Sequence, residues 1–311
     1  MRICMNACAP VLFLVFNRPE PTRRVFKAIR AARPQRLYVA ADGPRSNRVG
    51  EAERCAAVRN IATDVDWPCE LTTLLRDQNA GCAQAVSSAV SWFFNHEPEG
   101  IILEDDCLPD ASFFAFCTDQ LKRWRDDQRI GQICGFNLLP ESSPTGIDYF
   151  ASHFGWSWGW ASWRRAWQAY DITMTSWRQL KQLGLHHQHP FYAERIRLFD
   201  ATVDAGWRDS WDYQWHYTLA SQGQLSLIPS VNLIENIGFT ADATHTFASD
   251  SLRTRPAAKL SDSKRWRDPQ FVLPDPGYER QLIRAAHAGT WRRRIKAWLA
   301  KPLRRLYSSS S

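Results

Sequence analysis

The stretch Ile101-Ile102-Leu103-Glu104-Asp105-Asp106 places three apolar residues directly before three carboxylates. A short apolar run without charge is typical of a buried strand in a parallel sheet. Open α/β sheets bind ligands beyond the carboxyl ends of their strands, where these acids would lie. Three adjacent carboxylates repel one another, and hard divalent cations favour oxygen ligands. The stretch therefore predicts a ligand-binding site that contains a divalent cation. The alternative is a solvated acidic loop.

Strand and helix patterns alternate before this stretch. Apolar strands are predicted at 10–16, 36–41 and 70–75, and a helix over 83–94 precedes the acidic strand. Strands that alternate with helices at this spacing indicate a sheet whose neighbouring strands are parallel. We therefore predict a single large α/β unit, Rossmann-like and doubly wound, with a mixed and mostly parallel sheet.

Polar turn residues follow the first three of these strands. Asn17 and Arg18 follow the first, Asp42 the second, and Asn79 and Gly81 the third. Because the carboxyl ends of parallel strands share one edge, we expect these residues to lie beside the acidic stretch. There they would bind uracil or guanine, ribose and diphosphate; ordinary strand-to-helix turns are the alternative. Neither a G-x-G-x-x-G nor a P-loop pattern occurs, so dinucleotide and P-loop binding are not indicated.

The Glu-Asp-Asp sequence, followed by Pro109 and a Phe-rich helix, resembles the metal motif of nucleotide-diphospho-sugar glycosyltransferases with the A-type fold. It is most similar to relatives of N-acetylglucosaminyltransferase I and to bacterial family-2-like glycosyltransferases. The resemblance implies that Asp106 binds Mn²⁺ or Mg²⁺, and that Glu104 and Asp105 hold the donor sugar or the ribose. Phe16, at the start of Phe-Asn-Arg-Pro, is likewise implied in nucleotide binding.

The resemblance covers roughly residues 10–246 and predicts the domain organisation. It implies an A-type glycosyltransferase domain at 8–247, with a nucleotide-binding half of about 8–136 and an acceptor half of about 137–247. The polar segment 248–279 is predicted to be a flexible loop or lid. The remainder, 280–311, is predicted to be a basic amphipathic tail.

A Gly- and Trp-rich segment occupies 152–167. Glycines between aromatic residues allow the backbone to approach a ligand flanked by flat apolar walls. The segment resembles the part of the same glycosyltransferases that lies near the donor sugar, which implies sugar contacts for Gly155 and Trp156. The alternative is a packed hydrophobic turn.

A second aromatic segment, 207–215, contains the candidate general base. Desolvation among aromatic side chains raises the pKa of a carboxylate, which suits a base. The related transferases carry Trp-Asp-Asp-Trp here, and the resemblance implies Asp212 as the base. Tyr213 and Gln214 depart from that pattern, so Asp209 remains an alternative. An acid that merely stabilises a helix start is the structural explanation.

The run from Asn236 to Thr246 looks like the closing segment of bacterial nucleotide-diphospho-sugar transferases. Its His245 is the predicted second metal ligand or diphosphate contact, since a neutral imidazole suits both. A structural histidine is the alternative.

Composition limits the partners and the compartment. The net charge of +7 is local, because eight of the 39 basic residues lie in 284–305 and no acid follows Glu279. The rest is balanced, so nucleic-acid binding is not predicted. The eight cysteines show no C-x-x-C spacing, which predicts reduced thiols without zinc. With no apolar run of about 20 residues and no signal cleavage site, we predict a cytoplasmic protein.

The basic tail carries an apolar stripe. Trp291, Ile295, Trp298 and Leu299 share one face of a helix, and basic residues cover the rest. This pattern predicts peripheral attachment to an anionic membrane surface, namely the inner face of a bacterial membrane. A terminal helix that packs its Trp face on the domain is the alternative.

Together these features predict a metal-dependent, inverting glycosyltransferase. Its donor would be a nucleotide-diphosphate sugar and its acceptor a glycan or a lipid-linked acceptor; the resemblance implies bacterial surface polysaccharide or lipopolysaccharide synthesis. A sugar nucleotidyltransferase is one alternative, although Phe-Asn-Arg-Pro supplies no Gly-rich triphosphate loop. A non-catalytic carbohydrate-binding module is the other.

Overall fold

The computed structural model describes residues 8–184, 196, 199–204, 210–238, 255–260 and 266–285. Eight strands form the central sheet: β1 (Val11–Val15), β2 (Arg36–Ala41), β3 (Glu70–Leu75), β4 (Glu99–Glu104), β6 (Ile130–Cys134), β7 (Tyr149–Ser152), β8 (Trp160–Trp163) and β9 (Leu225–Pro229). Two more strands pair separately: β5 (Cys107–Pro109) and β10 (Ile234–Asn236).

The named helices are α1 (Pro19–Ala32), α2 (Glu51–Thr63), α3 (Cys82–His96), α4 (Ala111–Arg123), α5 (Arg164–Trp167), α6 (Trp177–Gln182) and α7 (Asp212–Ser221). A 3-10 turn spans Pro140–Ser142. Residues 199–204 and 276–285 are also helical.

The sheet is mixed and mostly parallel. Its strand order is β3-β2-β1-β4-β8-β6-β9-β7, and the pairs β3–β2, β2–β1, β1–β4 and β6–β9 are parallel. Only β8 and β7 run against their neighbours. The predicted α/β class with a mostly parallel sheet is confirmed.

Strand β1 shows why the sheet is covered on both faces. All five of its residues are buried. Val11, Phe13 and Val15 belong to the core formed with α1, α2 and α4, whereas Leu12 and Leu14 belong to the core formed with α3 and α7. Successive strand side chains point to opposite faces, so a strand without polar residues requires a helical layer on each side.

The strand β8 corrects one expectation. The Gly- and Trp-rich segment was predicted to be a ligand loop, but its residues Trp160–Trp163 form a buried strand between β4 and β6. Trp160 and Trp163 are almost fully buried, one in each core. Aromatic residues on both faces therefore fill the core here and leave only the preceding residues for a site.

The described part of the predicted lid packs on the domain. Leu260 is buried, and the Trp266 ring lies edge-on to Phe116 at 5.6 Å. Arg267 pairs with the buried Asp148 at 2.7 Å. The predicted boundary between 279 and 280 falls inside the helix 276–285, whose Tyr278 is fully buried, so this helix belongs to the domain. Tail residues 286–311 lie outside the described residues.

Among the described residues, no helix has the length and apolar character needed to cross a bilayer. The seven cysteines in this part of the chain are free thiols, as expected.

Candidate functional site

A cleft of about 560 Å³ opens at the carboxyl ends of β1 to β4. The parallel register of these strands brings their ends to one edge. The cleft is lined by nine of the predicted site residues: Phe16, Arg18, Asp42, Asn79, Gly81, Glu104, Asp105, Asp106 and Asp212. The sequence therefore located the carboxylates and several of the strand-end residues that line one cleft.

The three carboxylates lie at the end of β4. Glu104 is the last residue of this strand, and Asp105 and Asp106 form the turn into β5. Asp105 is only 3% exposed, whereas Glu104 and Asp106 are half-buried. One guanidinium, that of Arg18, forms an ion pair with Asp105 and a second with Asp106 at 3.0 Å. A single cation thus faces three acids.

Burial and mutual repulsion raise the pKa values of Glu104 and Asp105. Burial raises the pKa of Asp105 to about 6, despite the lowering effect of Arg18. Burial also raises the pKa of Glu104 well above its usual range, with further repulsion from Asp106, Asp105 and Asp212. Ionisation of these two acids is therefore disfavoured as the site stands, and a cation bound beside them would favour their ionised forms.

The donor atoms fit a cation that takes most of its ligands from a substrate. In the described part of the chain, no three His, Cys, Asp or Glu side chains converge as a complete metal cage. Asp106 nevertheless offers a half-exposed carboxylate to the cleft, and the buried Oδ2 of Asp105 has no hydrogen-bond partner among the described residues. Mg²⁺ in phosphate-binding enzymes is commonly held by one or two carboxylates together with substrate phosphates.

The segment around Gly238 closes one side of the acidic turn. β10 pairs with β5 just after the carboxylates, and the Ile237 amide donates to the Asp106 carbonyl at 2.8 Å. A Cβ on Gly238 would lie 2.2 Å from Asp106 Oδ2 and 2.9 Å from Arg18 Nη1. Only a residue without a side chain fits this close approach of backbone to carboxylate.

Asp42 and Asn79 lock the ends of β2 and β3 together. The Asp42 carboxylate accepts hydrogen bonds from the Gly43 and Ala80 amides and from Asn79 Nδ2, each at 2.9 Å. A Cβ on Gly43 would lie 2.3 Å from the backbone of Gln78, so this turn also requires glycine. Both predicted residues border the cleft and also fix its shape.

Asn17 supports the site from behind and is not part of the cleft lining. Its Nδ2 donates to Glu51 Oε1 at 2.8 Å. Glu51 is fully buried, and its hydrogen bonds with Arg45 lower its pKa to about 2. The Arg45 guanidinium also lies over the Phe16 ring, 5.5 Å from its centre. Asn17 was predicted to contact the nucleotide, but its side chain binds Glu51 instead. Through Glu51 it supports Arg45, which lines the cleft together with Phe16.

Gly155 and Trp156 do not line the cleft. A Cβ on Gly155 would lie 2.4 Å from Gln132 Oε1, and the Trp156 ring packs on Phe136 at 5.6 Å. The next two residues, Ser157 and Trp158, border the cleft instead. The predicted segment therefore reaches the cleft, but through residues two positions later than predicted. Gly155 and Trp156 themselves pack against the protein interior.

Asp212 begins α7 and faces the same cleft as the carboxylates. It accepts a hydrogen bond from Ser210 Oγ. Trp211, immediately before it, is buried against Trp160 at 5.7 Å, and Tyr170 Oη donates to the Trp211 carbonyl at 3.2 Å. The aromatic cluster thus fixes the turn that carries Asp212, while its carboxylate stays half-exposed.

The competing base Asp209 and the predicted ligand His245 lie outside the described residues. Their assignments remain predictions.

Several lining residues were missed by sequence reasoning. Arg45 and Arg76 place two more guanidiniums at the cleft, and Tyr213 and Asn236 also line it. Arg45 and Arg76 each follow the end of a predicted strand, which was the available signal. Their orientation depends on contacts beyond the strand and its turn, such as that of Arg45 with Glu51 in α2.

Comparisons with known proteins give a partial likeness only. The chain matches no known family of sequences, and no curated protein is detectably similar to it in sequence. HddC from Yersinia pseudotuberculosis covers 52% of this chain and 80% of its own, with 10% identity and a TM-score of 0.30. A cytidylyltransferase from Leptospira borgpetersenii covers 53% of this chain and 64% of its own, with 10% identity and a TM-score of 0.32. Likeness at this level is too low to support a functional assignment.

Proposed function

We propose that this chain is a transferase that acts on nucleotide sugars, and specifically a metal-dependent, inverting glycosyltransferase. The observation that carries the proposal is the meeting of Asp106, its acidic neighbours and Asp212 in one cleft. The acids offer a place for Mn²⁺ or Mg²⁺, and Asp212 offers a separate base.

The donor end of the cleft is suited to a nucleotide diphosphate. Arg45 and Arg76 provide positive charge for phosphate oxygens, and Phe16 provides a flat apolar ring beside Arg45. The half-buried Glu104 carboxyl group lines the cleft and can form a hydrogen bond with a ribose or sugar hydroxyl. A cation held by Asp106, with His245 as the proposed second ligand, would neutralise charge on the diphosphate leaving group.

Asp212 is the proposed general base. Its carboxylate would accept the proton of an acceptor hydroxyl as that oxygen attacks the anomeric carbon. The hydrogen bond from Ser210 and the buried Trp211 hold it in place. A single displacement of this kind inverts the configuration at that carbon.

A sugar nucleotidyltransferase is the second candidate. Arg18, Arg45 and Arg76 all line the cleft, which provides the positive charge that a nucleoside triphosphate needs. The three arginines thus provide part of the triphosphate-binding charge that the Phe-Asn-Arg-Pro sequence does not provide by itself.

A carbohydrate-binding module is less well supported. Such a module stacks exposed Trp rings on sugars, but Trp160, Trp163, Trp177 and Trp215 are almost fully buried. Among the described tryptophans, only Trp158 and Trp211 line the cleft.

The two enzymatic proposals are separated by their products. We expect the chain to hydrolyse or transfer the sugar of at least one UDP- or GDP-sugar in the presence of Mn²⁺, and to stop when EDTA is added. Release of pyrophosphate from a nucleoside triphosphate and a sugar 1-phosphate, without sugar transfer, would replace this proposal with the second candidate.

A further inference from the structure

Two large apolar side chains are exposed at the edge of the sheet. Phe271 is 64% exposed and Leu273 is 67% exposed, whereas Val272 between them packs against the core. The chain bends at Phe271 and at Leu273, and both side chains are exposed while the side chain between them packs inward.

Ordered contacts present this pair on the surface. Pro274 forms a parallel bridge with Ala151 in the edge strand β7, and the Asp275 amide donates to the Ala151 carbonyl at 2.9 Å. These contacts hold the backbone just after Leu273 against the edge of the sheet.

The helix 276–285 adds exposed positive charge beside the pair. Its inner face buries Tyr278 and Leu282, and its outer face exposes Arg280 and Arg284, one turn apart. Neither arginine forms an ion pair with another residue in the described part of the chain.

The acids near this surface are already engaged. Asp268 pairs with Arg123 at 2.9 Å, and Asp275 accepts from the Tyr278 amide at 2.7 Å. Glu279 is buried and pairs with His153 at 3.2 Å. The sequence after Glu279 contains basic residues and no acid. Asp268 and Asp275 are only partly exposed and Glu279 is buried, so the exposed charges of this helix, Arg280 and Arg284, are positive.

We propose that Phe271, Leu273, Arg280 and Arg284 form a docking surface, the edge patch, for an anionic lipid bilayer. The apolar pair would enter the headgroup region while the arginines pair with lipid phosphates and the basic tail adds attraction. A membrane needs both exposed apolar groups and basic residues, since one signal alone gives only weak attachment. A two-fold dimer through this surface would bring the arginines near their own copies, and like charges repel.

Vesicle co-sedimentation of the full chain tests the edge patch. The probes are phosphatidylcholine vesicles with and without one quarter phosphatidylglycerol, at low and high salt. F271S/L273S removes the apolar pair, and R280E/R284E reverses the charge. The matched control V49S/L183S removes two other exposed apolar side chains, which are 101% and 65% exposed, from different loops. Thermal unfolding of each variant verifies that it is folded. Light scattering without lipid gives the molecular mass of each variant and therefore its oligomeric state.

We expect wild type and the control to bind anionic vesicles equally, and to be released by salt. F271S/L273S should weaken this binding at least about tenfold, because two apolar side chains lose their burial in lipid. R280E/R284E should weaken it by a similar factor. Equal binding by F271S/L273S and wild type would overturn the proposal. A change of mass in F271S/L273S without a change in vesicle binding would also overturn it and indicate an interface between copies of this chain.

Discussion

The Arg18 guanidinium lies 3.0 Å from the carboxylate of Asp106 and also pairs with Asp105. The acid proposed to hold a divalent cation is therefore already in contact with a cation of the protein. Burial lowers the pKa of Arg18, but attraction to the two acids outweighs burial and raises it, so this charge is permanent. Arg18 and an added metal ion compete for the same negative charge.

Replacement of Arg18 by methionine should reveal this competition. The R18M variant should lose about 1–3 kcal/mol of unfolding free energy without metal, because the buried Asp105 loses its charged partner. Mn²⁺ should raise its melting temperature more than that of wild type. Thermal unfolding with Mn²⁺ and with EDTA measures both effects, and the control is R23M, which replaces an exposed arginine of α1, the helix that begins just after Arg18. If Mn²⁺ raises the melting temperatures of R18M and wild type equally, Arg18 and the metal ion do not compete.

Gly238→Ala should disturb the acidic turn without disturbing the sheet. The added methyl group would overlap Asp106 Oδ2, so the carboxylate or the segment must move. We expect Mn²⁺-dependent donor binding to weaken at least about tenfold, as losses at metal sites commonly do. Gly277→Ala, whose nearest contact is 3.2 Å away, is the control. Unchanged binding in G238A would show that the backbone at Gly238 is not part of the site.

Glu51→Gln should destabilise the protein in a pH-dependent way. Arg45 lowers the pKa of Glu51 from 4.5 to about 2, so its stabilisation is complete above pH 4.5 and is lost as the pH falls towards 2. We expect E51Q to lose about 1–3 kcal/mol at pH 7 and less at pH 3.5. Urea unfolding at both values measures this, with the exposed Glu53→Gln as the control. A loss that does not depend on pH would mean that the carboxylate charge is not the cause.

Asp212→Asn should separate donor binding from transfer. The amide keeps the size of the side chain but cannot accept a proton, so transfer should fall by about 10²–10⁴-fold while the donor affinity stays near that of wild type. Initial rates measure transfer, and titrations of the same preparations with the donor measure its affinity. If Asp209→Asn loses transfer and Asp212→Asn does not, the base is Asp209.

The sheet was predictable because its signal is local. An apolar run such as that of β1, with turn residues after it, indicates a buried strand without knowledge of the rest. Parallel packing then brings separate strand ends together, so Arg18, Asp42, Asn79 and Asp106 were correctly placed at one cleft. Each of these residues lies within four positions after the end of a strand.

The predictions that were wrong concern residues whose roles are determined by tertiary contacts. Trp160 fits a ligand platform as well as a core strand, and only pairing of β8 with β4 and β6 decides between them. Asn17 borders a strand end, but its amide turns to Glu51, which is 34 residues away along the chain. The role of Arg45 depends on the same buried glutamate. Sequence patterns locate an edge of the sheet, whereas the direction of each side chain there depends on distant partners.

Titration calorimetry of Asp106→Asn tests the central proposal most directly. The experiment measures the binding of UDP- and GDP-sugars to wild type, D106N and the exposed D64N control, with and without Mn²⁺. We predict that wild type and D64N bind at least one donor in a Mn²⁺-dependent manner, and that D106N loses this dependence with an affinity at least about tenfold lower. Mn²⁺-dependent binding by D106N as tight as that of wild type would contradict the proposed site.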